Sequence, residues 1–156
     1  FKVTRGVAQG CTLSPLLFDI YIDDLLKEFR KHGLGVPVGQ ITQGAQSFAD
    51  DLAIVATDQN MCGAYIRLLE DWCDKNFFVI NDDKSVILSV GNTGDLPPPN
   101  VTIKGNTIHL LNEQDPDNDE DDTNDFKYLG ILLTSEGSWN KFHDYKSKKS
   151  KQTIEF

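Results

Sequence analysis

The 156-residue sequence predicts an α+β fold, with helices packed on one face of an antiparallel sheet. Two observations carry that expectation. Apolar residues recur at helical spacing in two stretches, Leu17-Tyr21-Leu25-Phe29 and Met61-Tyr65-Leu68-Trp72. Elsewhere, short runs of β-branched and aromatic residues are separated by Asp, Asn and Gly, as in strands joined by tight turns.

Taken in order, Val3 and Val7 flank Arg5-Gly6, and Gln9-Gly10 follow; Gly10 suits a close backbone approach. Ser14-Pro15 reads as a helix start, because Ser can cap and Pro fits the first helical position. Phe18 and Ile22 widen the first apolar stripe, and Lys27, Arg30 and Lys31 suit a C-terminus ending near Gly33. Gly33 to Gly44 is a glycine-punctuated connector with a short extended segment at Val36 to Ile41.

Ser47 to Ala56 follows, reading as strand, tight turn, strand, with Asp50 and Asp51 at the tip. Thr57 or Asp58 caps the second helix. Phe77 to Ile80 reads as a strand, Asn81 to Asp83 as a turn, and Ser85 to Val90 as the returning strand. Pro97-Pro98-Pro99 is a stiff linker, and Val101 to Leu111 holds a strand pair around Gly105-Asn106. Residues 112–125 form an acidic segment with no large apolar side chain, which suits a solvated loop. Phe126 to Thr134 reads as a strand, Ser135 to Gly137 as a turn, and the lysine-rich end as the start of a helix.

The apolar fraction of 39% places the chain among globular proteins. No stretch approaches the ~20 apolar residues that a membrane helix requires, so a membrane is not an expected partner. Starting at Phe1 without a leader, the chain reads as part of a longer polypeptide. Cys11, Cys62 and Cys73 form no Cys-x-x-Cys pair, and His32, His109 and His143 are scattered, which argues against zinc and for a reducing compartment. Net charge is −9, yet eight acids between Glu113 and Asp125 account for all but one unit of it. The end of the chain carries Lys141, Lys146, Lys148, Lys149 and Lys151. Charge is segregated, so the total says little about any one surface.

Adjacent carboxylates repel, and burial raises the cost of their charge unless a cation compensates. A divalent, oxygen-preferring ion such as Mg²⁺ suits Asp50 and Asp51; the competing reading is an ordinary solvated Asp-Asp turn.

Four motifs decide between these readings. Arg5 to Phe18 closely resembles the segment of reverse transcriptases that leads into a palm helix, with the best match to non-LTR retrotransposons and the related group II intron type. Phe48-Ala49-Asp50-Asp51 resembles their catalytic aspartate hairpin. Asn81 to Ser85 and Lys127 to Ile131 resemble the two motifs that follow, in the family's order. The resemblance implies a partial polymerase palm over 1–139, with 112–125 as an acidic insertion and 140–156 as the start of a thumb or linker.

The same resemblance implies RNA-directed DNA polymerisation on an RNA template, a DNA primer and dNTPs, with Mg²⁺ or alternatively Mn²⁺. Asp50 would be a metal ligand and Asp51 a weaker partner. Gln9 and Gly10 would lie beside the nascent base pair together with Phe48 and Ala49. Lys84 would protonate the departing pyrophosphate, although an exposed turn lysine is an equal competitor. Tyr128, Leu129 and Gly130 would grip the primer or simply pack a strand.

The family's further catalytic aspartate, on a strand upstream of the Gln-Gly segment, has no counterpart among these residues. The expectation is therefore an inactive isolated piece that needs the remainder of its parent polypeptide, in an intracellular compartment with the nucleus among the candidates. Ala8, Thr12 and Phe77-Phe78 depart from the family's usual Arg, Pro and Gly-Leu. Two alternatives stay open: a non-catalytic remnant that binds a partner, or an acidic loop that binds Ca²⁺ or a basic protein. The calcium reading is the poorer fit, because Glu120 and Phe126 stand where an EF-hand needs Gly and Glu.

Overall fold

The computed structural model describes residues 11–91, 101–111, 125–135, 137, 139–144 and 146–147. The chain divides into two compact units, Phe1–Ile80 and Asn81–Phe156.

The first unit begins with α1 (Ser14–Lys31), which has Pro15 in its first turn. Leu13 takes the cap position and no side chain caps the helix. Ser14 N donates to Cys11 O at 3.2 Å, so a turn hands over to the helix one residue earlier than the sequence suggests. The C-terminus closes as a Schellman motif. Gly33 is left-handed at φ +67°, its N–H donates to Arg30 O at 3.0 Å, and Leu34 N donates to Phe29 O at 3.1 Å.

A short hairpin follows, β1 (Val36–Val38) against β2 (Ile41–Gln43), where one extended segment was expected. The hairpin β3 (Ala45–Phe48) and β4 (Asp51–Ile54) comes next, and then α2 (Gln59–Asn76). Asp58 is the α2 cap, accepting from Met61 N at 2.9 Å.

Leu25 and Phe29 of α1 meet Tyr65, Leu69 and Cys73 of α2 in one core, with Ala45, Leu52 and Ile54 of the second hairpin packed on it. Phe29 and Tyr65 touch edge to face at 4.8 Å between ring centroids, and Tyr21 meets Trp72 at 5.5 Å. The two helices therefore run antiparallel. Because α2 ends at Asn76, which accepts from the Tyr21 hydroxyl at 2.9 Å, the turns of α1 before Tyr21 extend past it. That explains why Leu17 stays exposed although it lies on the expected stripe. On α2 the buried line is Tyr65-Leu69-Cys73, with Leu68 and Trp72 half-buried on its flank, a rotation of the expected stripe.

Phe77 to Ile80 forms no strand. Phe77 is left-handed at φ +59° and Phe78 N donates to Cys73 O at 2.9 Å, a second Schellman closure that turns the chain instead of extending it.

The second unit opens with a 3-10 helix at Asp82–Lys84. It continues through β5 (Val86–Ile87), β6 (Thr102–Ile103), β7 (Asn106–Thr107) and β8 (His109–Leu110). β6 and β7 form a hairpin through Lys104-Gly105, both at positive φ, one residue before the expected turn. β5 pairs with β8 in parallel, so Ser85 to Val90 does not return on Phe77 to Ile80. Val101, Ile103, Ile108 and Leu110 are the buried apolar residues here among those described.

β9 (Asp125–Tyr128) and β10 (Ile131–Thr134) form a hairpin where a single strand was expected. Leu129 and Gly130 at its turn are both at positive φ, the combination a type I′ turn requires. Gly137 N donates to Thr134 O at 3.0 Å, in keeping with the expected turn, and 140–144 and 146–147 are helical. The α+β class is borne out. Among the described residues the strands form five two-stranded pairs, four antiparallel and one parallel.

Candidate active site

Register decides which way the β3–β4 hairpin faces. Ala45 pairs with Ile54 and Ser47 with Leu52, and Ala45, Leu52 and Ile54 pack on the core. Gln46, Ala53, Phe48 and Asp51 alternate onto the other face. Asp51 therefore opposes Phe48 on the side away from the core, and both are exposed. Asp50 sits beside it in the two-residue turn Ala49-Asp50, also exposed.

That turn is held by two local features. Ala49 adopts φ +52° at the first central position, where a primed turn favours Gly. The Ser47 hydroxyl donates to Ala49 O at 3.1 Å across the bend. An alanine in the left-handed region is unfavourable, and such outliers concentrate at functional sites.

Two exposed carboxylates side by side supply hard oxygen donors, the type that Mg²⁺ and Mn²⁺ prefer. Among the described residues no group of three or more His, Cys, Asp and Glu side chains could hold a metal ion. The pair is thus a partial donor set: its chemistry fits a divalent cation, and it needs ligands from elsewhere to close the site.

Lys84 lies in the second unit, exposed, at the end of the 3-10 helix. Asn81 caps that turn, its side-chain oxygen accepting from Lys84 N at 3.2 Å, and the Ser85 hydroxyl donates to Asn81 O at 2.7 Å. Just before Lys84, Asp82 and Asp83 line a cavity of about 470 Å³ with Asn106, Thr107 and His109, and Asn106 donates to Asp82. Tyr128 ends β9, and Leu129-Gly130 make the turn of the second unit's last hairpin. Gln9 and Gly10 lie outside the described residues, as do 112–124 of the acidic segment. Of the expected site residues, the structure thus brings Phe48, Ala49, Asp50 and Asp51 together at one tip.

Sequence reasoning missed the residues at the foot of that hairpin. Gly44 O accepts from Val55 N at 3.0 Å, one rung below the registered pairs. Tyr65, fully buried, brings its hydroxyl against Gly44. Tyr65 was legible as a core aromatic, but no sequence pattern pairs it with Gly44.

Similarity to known proteins agrees with the order of the motifs. The reverse transcriptase (RNA-dependent DNA polymerase) family matches residues 1–133. The Pol polyprotein of the R2DM retrotransposable element of Drosophila melanogaster is 29% identical over 88% of this chain and 12% of its own length. A Pol polyprotein of the R2 element of Popillia japonica is 29% identical over 87% of this chain and 19% of its own length. The RNA-directed DNA polymerase from mobile element jockey of Drosophila funebris is 27% identical over 84% and 13% respectively. The chain spans less than a quarter of the length of these curated relatives. No solved structure gives a significant match. With the family covering 133 of 156 residues, the chain belongs to the reverse transcriptase (RNA-dependent DNA polymerase) family.

Proposed function

We propose that this chain is the carboxylate-bearing part of the polymerase palm of an RNA-directed DNA polymerase, working on an RNA template, a DNA primer and dNTPs. The observation that carries this reading is the exposed Asp50-Asp51 pair at the tip of a two-residue hairpin. A carboxylate buried in packing would be protonated or paired; one at an open tip is available to a cation and a phosphate. The bound Mg²⁺, or Mn²⁺ in its place, supplies charge neutralisation at the α-phosphate and at the attacking and leaving oxygens.

Asp50, on the turn, is the direct ligand, and Asp51 adds negative charge from the first residue of β4. Phe48 and Ala49 bring an apolar side chain and a close backbone next to the carboxylates, which suits the edge of a nucleotide. Gln9 and Gly10 act beside the nascent base pair. Lys84 donates a proton to the departing pyrophosphate. Tyr128, Leu129 and Gly130 hold the primer strand through the tight turn of their hairpin. The compartment is intracellular.

Among the described residues two carboxylates do not close a two-metal site, and the isolated 156-residue chain should extend no primer beyond the background of its Asp50→Ala variant. The test uses a polypeptide that carries this chain at the length of its relatives, with RNA-templated dNTP incorporation as the readout. Asp50→Ala should lower incorporation by about 10²–10³-fold or more. Activity surviving Asp50→Ala in the long polypeptide, or appearing in the isolated chain, would contradict the assignment.

A further inference from the structure

We propose that Tyr65 is a positioning residue for the carboxylate pair, fixing through its hydroxyl the angle at which the β3–β4 hairpin leaves the core; this rests on reading Asp50 and Asp51 as the metal-holding pair. Tyr65 has 0% of its surface exposed, and its hydroxyl has no hydrogen-bond partner among the described residues. Buried polar atoms are nearly always paired, so an orphan one calls for an explanation. Its ring alone would pack as well, since the edge-to-face contact with Phe29 at 4.8 Å involves no oxygen.

The hydroxyl lies in a notch that only glycine leaves open. A Cβ on Gly44 would stand 2.5 Å from the Tyr65 oxygen, 2.9 Å from Leu34 O and 3.4 Å from Gly35 Cα. Gly44 is also the foot of the hairpin, because its carbonyl accepts from Val55 N at 3.0 Å directly below the Ala45–Ile54 pair. The tyrosine oxygen from α2 is therefore wedged against the point where the hairpin departs.

Length turns this small contact into a lever. From Gly44 to the turn the strand runs roughly 16 Å, so a tilt of about 4° at the foot moves the tip by about 1 Å. Displacements of that size are large for reacting groups. Tyr65 touches neither substrate nor metal; it acts through Gly44 on where Asp50 and Asp51 sit.

The test is residual dipolar coupling NMR on the full 156-residue chain, which measures the orientation of β3–β4 against α1 and α2 with no metal needed. Tyr65→Phe keeps the ring and removes the wedge. The hairpin should reorient by several degrees while the melting midpoint does not fall. Gly44→Ala, which forces a Cβ into the notch, should also reorient it and lower the midpoint, and adding Tyr65→Phe should restore part of that loss. An unchanged orientation in Tyr65→Phe, or a fall in its midpoint, would overturn the proposal, since either means that the oxygen is ordinarily bonded or idle.

A Mn²⁺ titration of the same variants in a polypeptide of the relatives' length, where ligands from outside the hairpin close the site, separates this from the metal reading. Affinity at residues 48–52 should weaken roughly tenfold or more in Tyr65→Phe, as when the support of a ligand is lost. A reoriented hairpin with undiminished Mn²⁺ affinity would overturn the positioning role. A reoriented hairpin with a tip that binds no Mn²⁺ even in the wild-type polypeptide would refute the metal reading and leave the wedge established.

Discussion

At Phe77 the backbone enters the left-handed region with φ +59°, and the side chain is 73% exposed. The cause lies one residue on. Phe78 packs with Phe18, Tyr21 and Trp72, at 5.2 to 6.1 Å between centroids, and its N–H closes the helix end on Cys73 O. Anchoring Phe78 obliges Phe77 to make the left-handed step that glycine makes at Gly33. For a residue with a Cβ this step costs roughly 1–2 kcal/mol. Phe77→Gly should therefore stabilise the chain by about 1 kcal/mol, with some of the gain offset by a freer unfolded chain. A denaturation midpoint moved to higher urea, with the slope unchanged, checks this.

The same residue shows why sequence reading failed there. Phe-Phe-Val-Ile has every mark of a strand, and the glycine that would flag a helix end is absent. Asp50 and Asp51 were legible for the opposite reason. Two adjacent acids interrupt a run of β-formers, and a tight turn is the natural place for them, so the hairpin was legible there. The left-handed Ala49 and the wedge at Tyr65 left no signature, because each follows from packing that composition does not encode.

Among the elements, both helices respond to pH. Asp58 accepts from Met61 N and from the Thr57 hydroxyl, and these bonds, the first above all, hold its carboxyl below the usual carboxylate range. Asp23 is lowered mainly by Lys27 at 2.7 Å, with help from Arg30, and Glu28 mainly by Lys31 at 2.9 Å. In each case the folded value is depressed, so the unfolded chain binds more protons on acidification. The stabilisation is present above the ordinary carboxylate range and is lost as pH falls through the depressed folded values. Thermal melts should show the midpoint falling below about pH 4. Asp58→Ala should lower the midpoint at pH 7 and nearly coincide with wild type at pH 2.5; a constant gap at both pH values would show that the cap is not what the carboxylate supplies.

Element type was largely readable, and element pairing was not. Periodicity located both helices, and the turn residues located the Asp hairpin and the β6–β7 pair. The apolar stripe on α2 came out rotated because Leu68, Leu69, Trp72 and Cys73 are all apolar, so spacing alone admits two faces. The partner of β5 was wrong because parallel pairing depends on contacts distant in the chain, where no turn motif records it. The hairpin at Leu129-Gly130 was hidden by a turn that begins with leucine.

For the whole chain, charge is the property most easily misread. A net −9 argues against a polyanionic partner, yet nearly all of it resides in one acidic segment. Family membership rests instead on a match over residues 1–133, a span that holds all four motifs in order. No helix among the described residues is long and apolar enough to cross a membrane. The chain spans 12% to 19% of the length of the R2 relatives cited, and the activity proposed for it belongs to a polypeptide of their length.

The central claim is that the tip of the β3–β4 hairpin holds a divalent cation. Residue-resolved NMR of the chain during a Mn²⁺ titration tests it most directly, because the acidic segment would confuse any bulk binding measurement. Paramagnetic broadening should centre on Ala49, Asp50 and Asp51 and disappear in Asp50→Asn, while the spectrum of the core stays unchanged. Broadening confined to residues 112–125, or broadening at the tip that survives Asp50→Asn, would contradict the account.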